Sequence, residues 1–425
     1  MTFLSKRLAN ASPQLFSAYC IVAAFGTYFC MYAFRKPISA ATFEEWTLWG
    51  ISYKPVLIAS QMLGYMLSKF VGIKVISEMP ASRRAAGILL LIGIAEAALL
   101  LFAVTPPPWN FVWLFFNGLP LGMVFGLVLA FLEGRRVTEA LAAGLSASMI
   151  ISSGVVKSIG QTLIQDWGVS DFWMPVFTGA LFVGPLLVFV WMLNQIPKPS
   201  QDDIAHRSER TPMTRAQRRA FFGRHWFGLV FLVAIYVLLT IMRSIRDDFG
   251  IEIWRDLGHD GKPAIFAKSE LLVMFGVVFI NGAAIWITNN RRALLSSLGL
   301  VGCGFVIVLA AVVGHWQEQL SPLGFMVLTG LGLYIPYVAF HTTIFERLIA
   351  AFRERGNIGF LMYSADAVGY LGYVGIMLMR NSSMLEAGFL SLFVGASLLI
   401  AIVAIFITLF LLFYYYHRLP REESV

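Results

Sequence analysis

Two tyrosines and an arginine share one face of the first long apolar segment of this sequence. Tyr28, Tyr32 and Arg35 are spaced i, i+4 and i+7, which places them on the same side of a helix. An arginine guanidinium is a planar fork that binds phosphate or carboxylate groups through two hydrogen bonds, and tyrosine hydroxyls donate further ones. The chemistry available to this face is the recognition of an anion.

The same pattern recurs in the second half of the chain. An offset of 208 residues takes Tyr28 to Tyr236 and Arg35 to Arg243. A single arginine at the end of a membrane helix is also explained by a long side chain that extends to the interface. Two arginines related by an internal repeat, each near aromatic hydroxyls, favour a binding role instead.

Two lysines lie in the middle of apolar segments. Lys69 and Lys157 are too deep to reach the interface easily, and a lone ammonium group at the bilayer centre costs at least about 2.5 kcal/mol. Either they line a substrate path, or they form internal ion pairs that only fix helix packing. The candidate acidic partners are Asp366, Asp247 and Glu96.

Further polar groups lie in the tenth and eleventh apolar segments. Asp366 shares a helical face with Tyr363 and Tyr370, and it is either half of a static salt bridge or a proton carrier. His341 shares a face with Tyr337, and it either faces the same cavity or is simply hydrogen-bonded within the helix.

The chain that carries these groups is strongly apolar. Of its 425 residues 58% are hydrophobic and 13% are charged, whereas soluble domains carry about 25% charged residues. Windows of about 20 apolar residues, long enough to cross a bilayer, recur from end to end. The predicted fold class is an all-α polytopic membrane protein. The net charge of +8 does not indicate nucleic-acid binding, because the basic residues lie mostly between the apolar segments.

Twelve transmembrane helices are predicted in two six-helix parallel repeats. The first six cover Gln14–Phe34, Pro55–Ile76, Ala85–Thr105, Trp109–Leu132, Ala140–Ile164 and Phe172–Asn194. The second six cover Trp226–Arg246, Ser269–Thr288, Ala293–Gly314, Leu323–Leu348, Gly356–Met379 and Ala387–Tyr416. The domains are an N-terminal bundle (1–196), a charged cytoplasmic linker (197–224) and a C-terminal bundle (225–425).

Basic residues predict the orientation. Both tails and the loops after segments 2, 4, 6, 8 and 10 hold most of them, so by the positive-inside rule that side and both termini are cytoplasmic. We expect a multi-pass plasma (bacterial inner) membrane protein. Four basic residues lie on the opposite side, where another cause must hold them: Arg35, Lys36, Arg243 and Arg246.

The arrangement resembles the major facilitator superfamily over essentially the whole chain. Tyr32, Arg35 and Lys36 are similar to the Tyr-x-x-Arg-Lys of its organophosphate:phosphate antiporter branch, and the resemblance implies that Arg35 binds phosphate. It implies the same role for Arg243, and it implies that Lys69, within Ser68-Lys69-Phe70, lines the substrate path. Lys157 falls where that branch carries a pathway histidine.

Charged groups at the cytoplasmic ends of segments 4 and 10 allow two interpretations. They form a gate of ion pairs between the halves, or they are ordinary interfacial charge. They are Glu133, Arg135, Glu346 and Arg347.

The sequence therefore predicts a secondary transporter that carries a small organic or phosphate-bearing anion by alternating access. Exchange follows if the empty cationic site is too costly to reorient, and proton coupling follows if Asp366 or Asp247 neutralises the arginines. The alternative is a transporter of larger organic anions such as siderophores or drugs, which the tyrosines Tyr334, Tyr337, Tyr363 and Tyr370 would suit.

A membrane receptor or a membrane enzyme has less support, because the chain lacks a Ser/His/Asp set, a metal-ligand cluster and a Gly-rich phosphate loop. We predict no enzymatic activity, no cofactor and no metal. The expected partners are a small anionic substrate and the lipid bilayer, with no nucleic acid, and the expected state is a monomer.

Overall fold

Long α-helices make up the protein. The computed structural model describes residues 3–132, 138–197, 215–259, 262–284, 287, 289–352, 358–378 and 388–419. In the N-terminal half the helices are α1 (Phe3–Ala9), α2 (Pro13–Tyr32), α3 (Tyr53–Glu78), α4 (Arg84–Val104), α5 (Phe111–Leu132), α6 (Thr138–Gln165) and α7 (Met174–Asn194).

The C-terminal half repeats this plan. Its helices are α8 (Arg215–Asp248), α9 (Gly250–Asp256), α10 (Ala264–Ala284), α11 (Asn290–Trp316), α12 (Pro322–Ala339), α13 (Phe345–Ala351), α14 (Ile358–Leu378) and α15 (Phe389–Arg418). One π-helical turn, Phe340–Ile344, joins α12 to α13. Short 3₁₀ turns cover Pro37–Ala40 and Ala81–Arg83, and two antiparallel two-residue strands, β1 (Thr47–Leu48) and β2 (Ile51–Ser52), lie between α2 and α3.

Each predicted membrane segment coincides with a helix, and the tenth is built from α12, the π turn and α13. Among the described residues, ten helices are long and apolar enough to cross a membrane. The all-α polytopic fold is therefore confirmed. Helix α8 begins at Arg215, inside the predicted linker, and residues 198–214 of that linker lie outside the described part. The domain boundaries stay a prediction.

Glycines let the helices of each half approach closely. A Cβ atom added to Gly118 of α5 would lie 2.0 Å from the backbone oxygen of Gln61 in α3, and one added to Gly64 would lie 2.1 Å from that of Phe115. In the other half, a Cβ on Gly304 of α11 would meet Pro336 of α12 at 2.5 Å. Small residues at such crossings are typical of membrane bundles, where close packing replaces the hydrophobic effect.

The halves face each other through two pairs of helices. Helix α6 packs against α10, and α3 packs against α14. The ends of α2 and α8 meet at one end of this interface, where Lys36 and Asp248 are in contact. This end is termed the outer end below, because the basic residues predict that it faces away from the cytoplasm.

Candidate functional site

A small cavity lies between the halves. Its volume is about 10 Å³, close to the space that one water molecule needs, so the helices are closed around it. Both halves contribute to its wall. The lining residues are Tyr28, Tyr32, Arg35, Tyr65, Lys69, Phe125, Met149, Tyr337, His341, Met362, Asp366 and Tyr370.

Arg35 lies just after α2 and points into this cavity. Its guanidinium carbon is 3.9 Å from the centroid of the Tyr65 ring and 5.9 Å from that of Tyr32. One terminal nitrogen contacts the sulfur of Met62 at 3.6 Å, and Nε has no hydrogen-bond partner in the part of the chain that the structure describes. The side chain is 5% exposed. Aromatic faces and a thioether therefore surround a buried cation.

Arg243, the repeat partner of Arg35, has the same kind of environment. Its guanidinium carbon lies 4.3 Å from the ring centroid of Tyr337, which lines the cavity, and 5.9 Å from that of Tyr334. The side chain is 6% exposed, and its Nε also lacks a hydrogen-bond partner among the residues described. No carboxylate of the described residues lies within 4.0 Å of either guanidinium.

Lys69 and Asp366 form a salt bridge that connects the halves across the cavity. The lysine Nζ of α3 is 3.1 Å from Oδ2 of the carboxylate in α14. The hydroxyl of Tyr236 donates a hydrogen bond to the other carboxylate oxygen, and Nε2 of His341 lies 3.8 Å from it. His341 belongs to the π turn, a distortion that is frequent at functional sites. The sequence-predicted groups Tyr236, His341 and Asp366 thus form one cluster.

Lys157 lies apart from the cavity, at the outer end. Its Nζ is 2.7 Å from Oδ1 of Asp247 in α8, and the hydroxyl of Ser153 donates to the same oxygen. Both lysines that the sequence singled out therefore form ion pairs, and both pairs join one half to the other. Glu96, a third candidate partner, instead lies on α4 beside Gly179 of α7 within the N-terminal half.

More charged groups than the sequence indicated meet at the outer end. Lys36 contacts Asp247 and Asp248 at 2.5 Å each, and Lys54 contacts Glu252 at 2.6 Å. Sequence reasoning did not identify Lys54, Asp248 or Glu252 as candidate site residues. Two signals in the sequence could have found them. Lys54 lies in the first turn of an apolar helix, and Asp248 and Glu252 are spaced i, i+4 directly after another apolar segment.

Counting the buried charges singles out the two arginines. Among the described residues seven lysine and arginine side chains and five acidic ones are buried, an excess of two positive charges with histidine counted as neutral. The basic ones are Arg35, Lys36, Lys54, Lys69, Lys157, Arg243 and Arg246, and the acidic ones are Asp247, Asp248, Glu252, Glu270 and Asp366.

The ion pairs account for the rest of that list. Arg246 pairs with Glu270 at 2.8 Å and donates to the backbone oxygen of Met326. Lys69 pairs with Asp366, and the three lysines of the outer end face three carboxylates. The two excess charges are those of Arg35 and Arg243. Pairing also accounts for Lys36 and Arg246, two of the basic residues that the predicted orientation places on the side away from the cytoplasm.

Some predicted residues cannot be placed in the site. Glu133 and Arg135 fall outside the described residues, as does the side chain of Tyr363. Glu346 and Arg347 lie in α13, where Arg347 donates to the side chain of Asn290 at 2.8 Å, within its own half. The cytoplasmic gate stays a prediction.

Comparison with known proteins gives the fold and a family. Residues 37–418 match the model of DUF5690, a family of unknown function, and no curated protein matches significantly. The structure is similar to that of a D-xylose–proton symporter (TM-score 0.59, 15% identity, 92% of this chain and 97% of that chain).

It is also similar to a POT peptide transporter in complex with alafosfalin (TM-score 0.61, 13% identity, 92% and 94% covered). A bacterial homologue of the human drug peptide transporters PepT1 and PepT2 aligns with a TM-score of 0.63 at 11% identity, over 95% of this chain and all (100%) of that one. With TM-scores of 0.59–0.63, these similarities show that the chain shares its fold with these transporters. They leave the resemblance to the organophosphate:phosphate branch a prediction.

Proposed function

The chain belongs to DUF5690, a family of unknown function, and from its site we propose that it is a secondary transporter that carries a small anion between its two halves. The supporting observation is the pair of buried arginines, which have no carboxylate partner within 4.0 Å among the described residues. A buried charge is costly unless it is paired. Stacking on a tyrosine face returns only about 0.5–2 kcal/mol per contact.

The missing counter-charge is the substrate in this proposal. Arg35 belongs to one half and Arg243 to the other, so an anion that binds both draws the halves together at the cavity. An excess of two charges is matched by a phosphate monoester, a dicarboxylate or another small divalent anion. Arginine suits this role because its fork forms two parallel hydrogen bonds with such groups.

The rings around the cavity support the alternative of a larger organic anion. Tyr28, Tyr32, Tyr65, Tyr337 and Tyr370 all line it, and aromatic walls are common in sites for bulky ligands. The cavity of about 10 Å³ would have to expand far more for such a ligand than for a phosphate-sized one. A small anion is therefore the first candidate.

Coupling is assigned to the Lys69–Asp366 bridge. If Asp366 takes up a proton, the salt bridge is lost and Lys69 becomes available to the anion, so that proton and anion move together. If Asp366 stays ionised, the empty site keeps two unpaired cations and is costly to reorient, which leads to exchange of one anion for another. A proton gradient drives net uptake in the first case only.

The proposal is tested with purified protein in sealed liposomes. Labelled phosphate, a sugar phosphate and a dicarboxylate are offered, and we expect saturable uptake of at least one. Arg35→Gln and Arg243→Gln should each abolish it, whereas the lysine variants at these positions keep the charge, lose the fork and retain reduced uptake. Arg292→Gln, an exposed arginine on α11, is the matched control.

Two results would contradict the assignment. One is normal uptake by both glutamine variants that elute as folded protein. The other is thermal stabilisation of the wild type by bulky organic anions but not by small divalent ones, which would favour the larger substrate. Turnover in detergent without a sealed vesicle would instead indicate an enzyme.

A further inference from the structure

The ionic cluster at the outer end is sorted by charge between the halves. Its three cations come from the N-terminal half and its three carboxylates from the C-terminal half. The six residues are Lys36, Lys54 and Lys157, and Asp247, Asp248 and Glu252. The cluster is neutral because three cations face three carboxylates. Its side chains are only 2–5% exposed, so the cluster is sealed from water.

Hydrogen bonds satisfy most polar atoms of the cluster, although Oε2 of Glu252 has no hydrogen-bond partner among the described residues. Asp248 accepts from the hydroxyls of Ser39 and Tyr373, at 2.9 Å each, in addition to its contact with Lys36. Lys54 donates to the backbone oxygen of Ser39 at 3.1 Å as well as to Glu252. A buried ionic cluster is stable only when its charges are paired in this way.

Separation of the halves at the outer end would break every one of these ion pairs. The N-terminal half would then expose three lysines and the C-terminal half three carboxylates. The loss is large in a dry environment, because removing one partner of a buried pair leaves the other without compensation. Opening at this end is therefore opposed by the whole cluster at once.

The same short segments carry the cluster and the anion site. Lys36 directly follows Arg35, and Asp247 lies one helical turn after Arg243. Fixing Lys36 and Asp247 to each other therefore fixes the backbones from which the two arginines reach the cavity. Movement at either pair must displace the other.

We propose that these six side chains form an outer lock, which positions Arg35 and Arg243 at the cavity and must separate for the cavity to open at the outer end. The part it plays in transport rests on the proposed function. Its effect on access to the cavity does not, and that effect can be measured without any substrate.

The pair Lys54–Glu252, in which each group has the other as its one oppositely charged partner within 4.0 Å among the described residues, provides a charge-swap test. We expect Lys54→Glu and Glu252→Lys each to raise by about tenfold the rate at which an impermeant thiol reagent labels Tyr370→Cys from the outer side, because position 370 lines the cavity between the lock and the Lys69–Asp366 bridge. The double variant should return the rate to within about twofold of the parent, because a double-mutant cycle isolates the pair. The parent lacks the native cysteines Cys20, Cys30 and Cys303.

Two further positions serve as controls. Trp49→Cys, 75% exposed on the β1–β2 connection, marks the outer face and should be labelled equally in every variant. Glu44→Gln breaks the contact with Arg255, which also joins the halves at this end but is 48–59% exposed. Exposed pairs contribute little, so this variant should label like the parent.

Three results would contradict the proposed outer lock. They are a parental labelling rate in the single variants, a rate in the double variant as high as in the single variants, or a rate in Glu44→Gln as high as in the lock variants. Should the charge variants fail to fold, Tyr373→Phe removes one hydrogen bond to Asp248 and should raise outer labelling by roughly twofold to fivefold. An unchanged rate in that variant also contradicts the lock. Unchanged labelling would contradict the outer lock but not the anion site. Normal uptake by the arginine variants would contradict the anion site but not the outer lock.

Discussion

Replacing Asp366 by asparagine changes the charge of the cavity by one unit and leaves the side-chain size nearly unchanged. In the wild type Arg35 and Arg243 contribute two positive charges, while Lys69 and Asp366 cancel. Asp366→Asn raises the total to three and Lys69→Met lowers it to one. The double variant restores a total of two. These variants separate the charge of the site from its shape.

The size of the effect follows from the geometry around Tyr65. The ring centroid lies 3.9 Å from the guanidinium carbon of Arg35 and 5.1 Å from Nζ of Lys69, so the two cations are at most about 9 Å apart. At that distance, with an effective dielectric constant of about 20, one unit charge changes the interaction by about 2 kcal/mol per unit of anion charge. This is roughly a thirtyfold change in the dissociation constant.

Binding of labelled sulfate to purified protein measures the effect, because sulfate is divalent at every working pH. We expect at least about thirtyfold tighter binding in Asp366→Asn and at least about thirtyfold weaker binding in Lys69→Met. The double variant should lie near the wild type. Asp166→Asn, which removes an exposed carboxylate, is the control. Weaker binding in Asp366→Asn, or no binding of sulfate by the wild type, would refute the charge argument.

Two further predictions concern stability. Gly118→Ala places a Cβ 2.0 Å from the backbone oxygen of Gln61 and should lower the melting temperature markedly. The control Gly184→Ala, with open space around its Cβ, should keep the melting temperature within about 1 °C of the wild type. Equal melting temperatures of the two variants would contradict the close α3–α5 packing. Burial raises the pKa of Asp171, which lies outside the membrane segments and accepts from the backbone N–H of Phe43. A carboxyl whose pKa is higher in the folded than in the unfolded chain stabilises the protein as the pH falls through that pKa, so Asp171→Asn should flatten the rise in stability on acidification, and an unchanged pH profile would contradict this.

The sequence was sufficient for the helices because a bilayer demands about 20 apolar residues for each crossing. The offset of 208 residues also relates Arg35 to Arg243 in the sequence alone. Both features are local or periodic, and periodicity can be read along a chain. Tyr28 and Tyr32 face one cavity because of their helical spacing, and Arg35, in the turn that follows α2, reaches the same cavity.

Partners across the interface between the halves could not be derived in this way. Lys157 and Asp247 are 90 residues apart, and Lys54 and Glu252 are 198 apart. Nothing in the spacing within one helix specifies which residues of the other half they face. The sequence consequently left both a substrate path and an ion pair open for Lys157, and the structure pairs it with Asp247 at the outer end. The docking of the halves, rather than the folding of either one, determines these contacts.

The positions of the two sets of inter-half ion pairs relative to the arginines bear on alternating access. The amide of Gln61 donates to the backbone oxygen of Arg35 at 2.9 Å, and Lys69 lies about two turns further along α3, away from the outer end. The outer lock and the Lys69–Asp366 bridge therefore lie on opposite sides of Arg35. In the proposed cycle, opening outward breaks the lock, and opening inward breaks the bridge. An anion bound by Arg35 and Arg243 would hold the halves together at a level between the outer lock and the Lys69–Asp366 bridge. One of these two sets of ion pairs can then separate while the other stays formed.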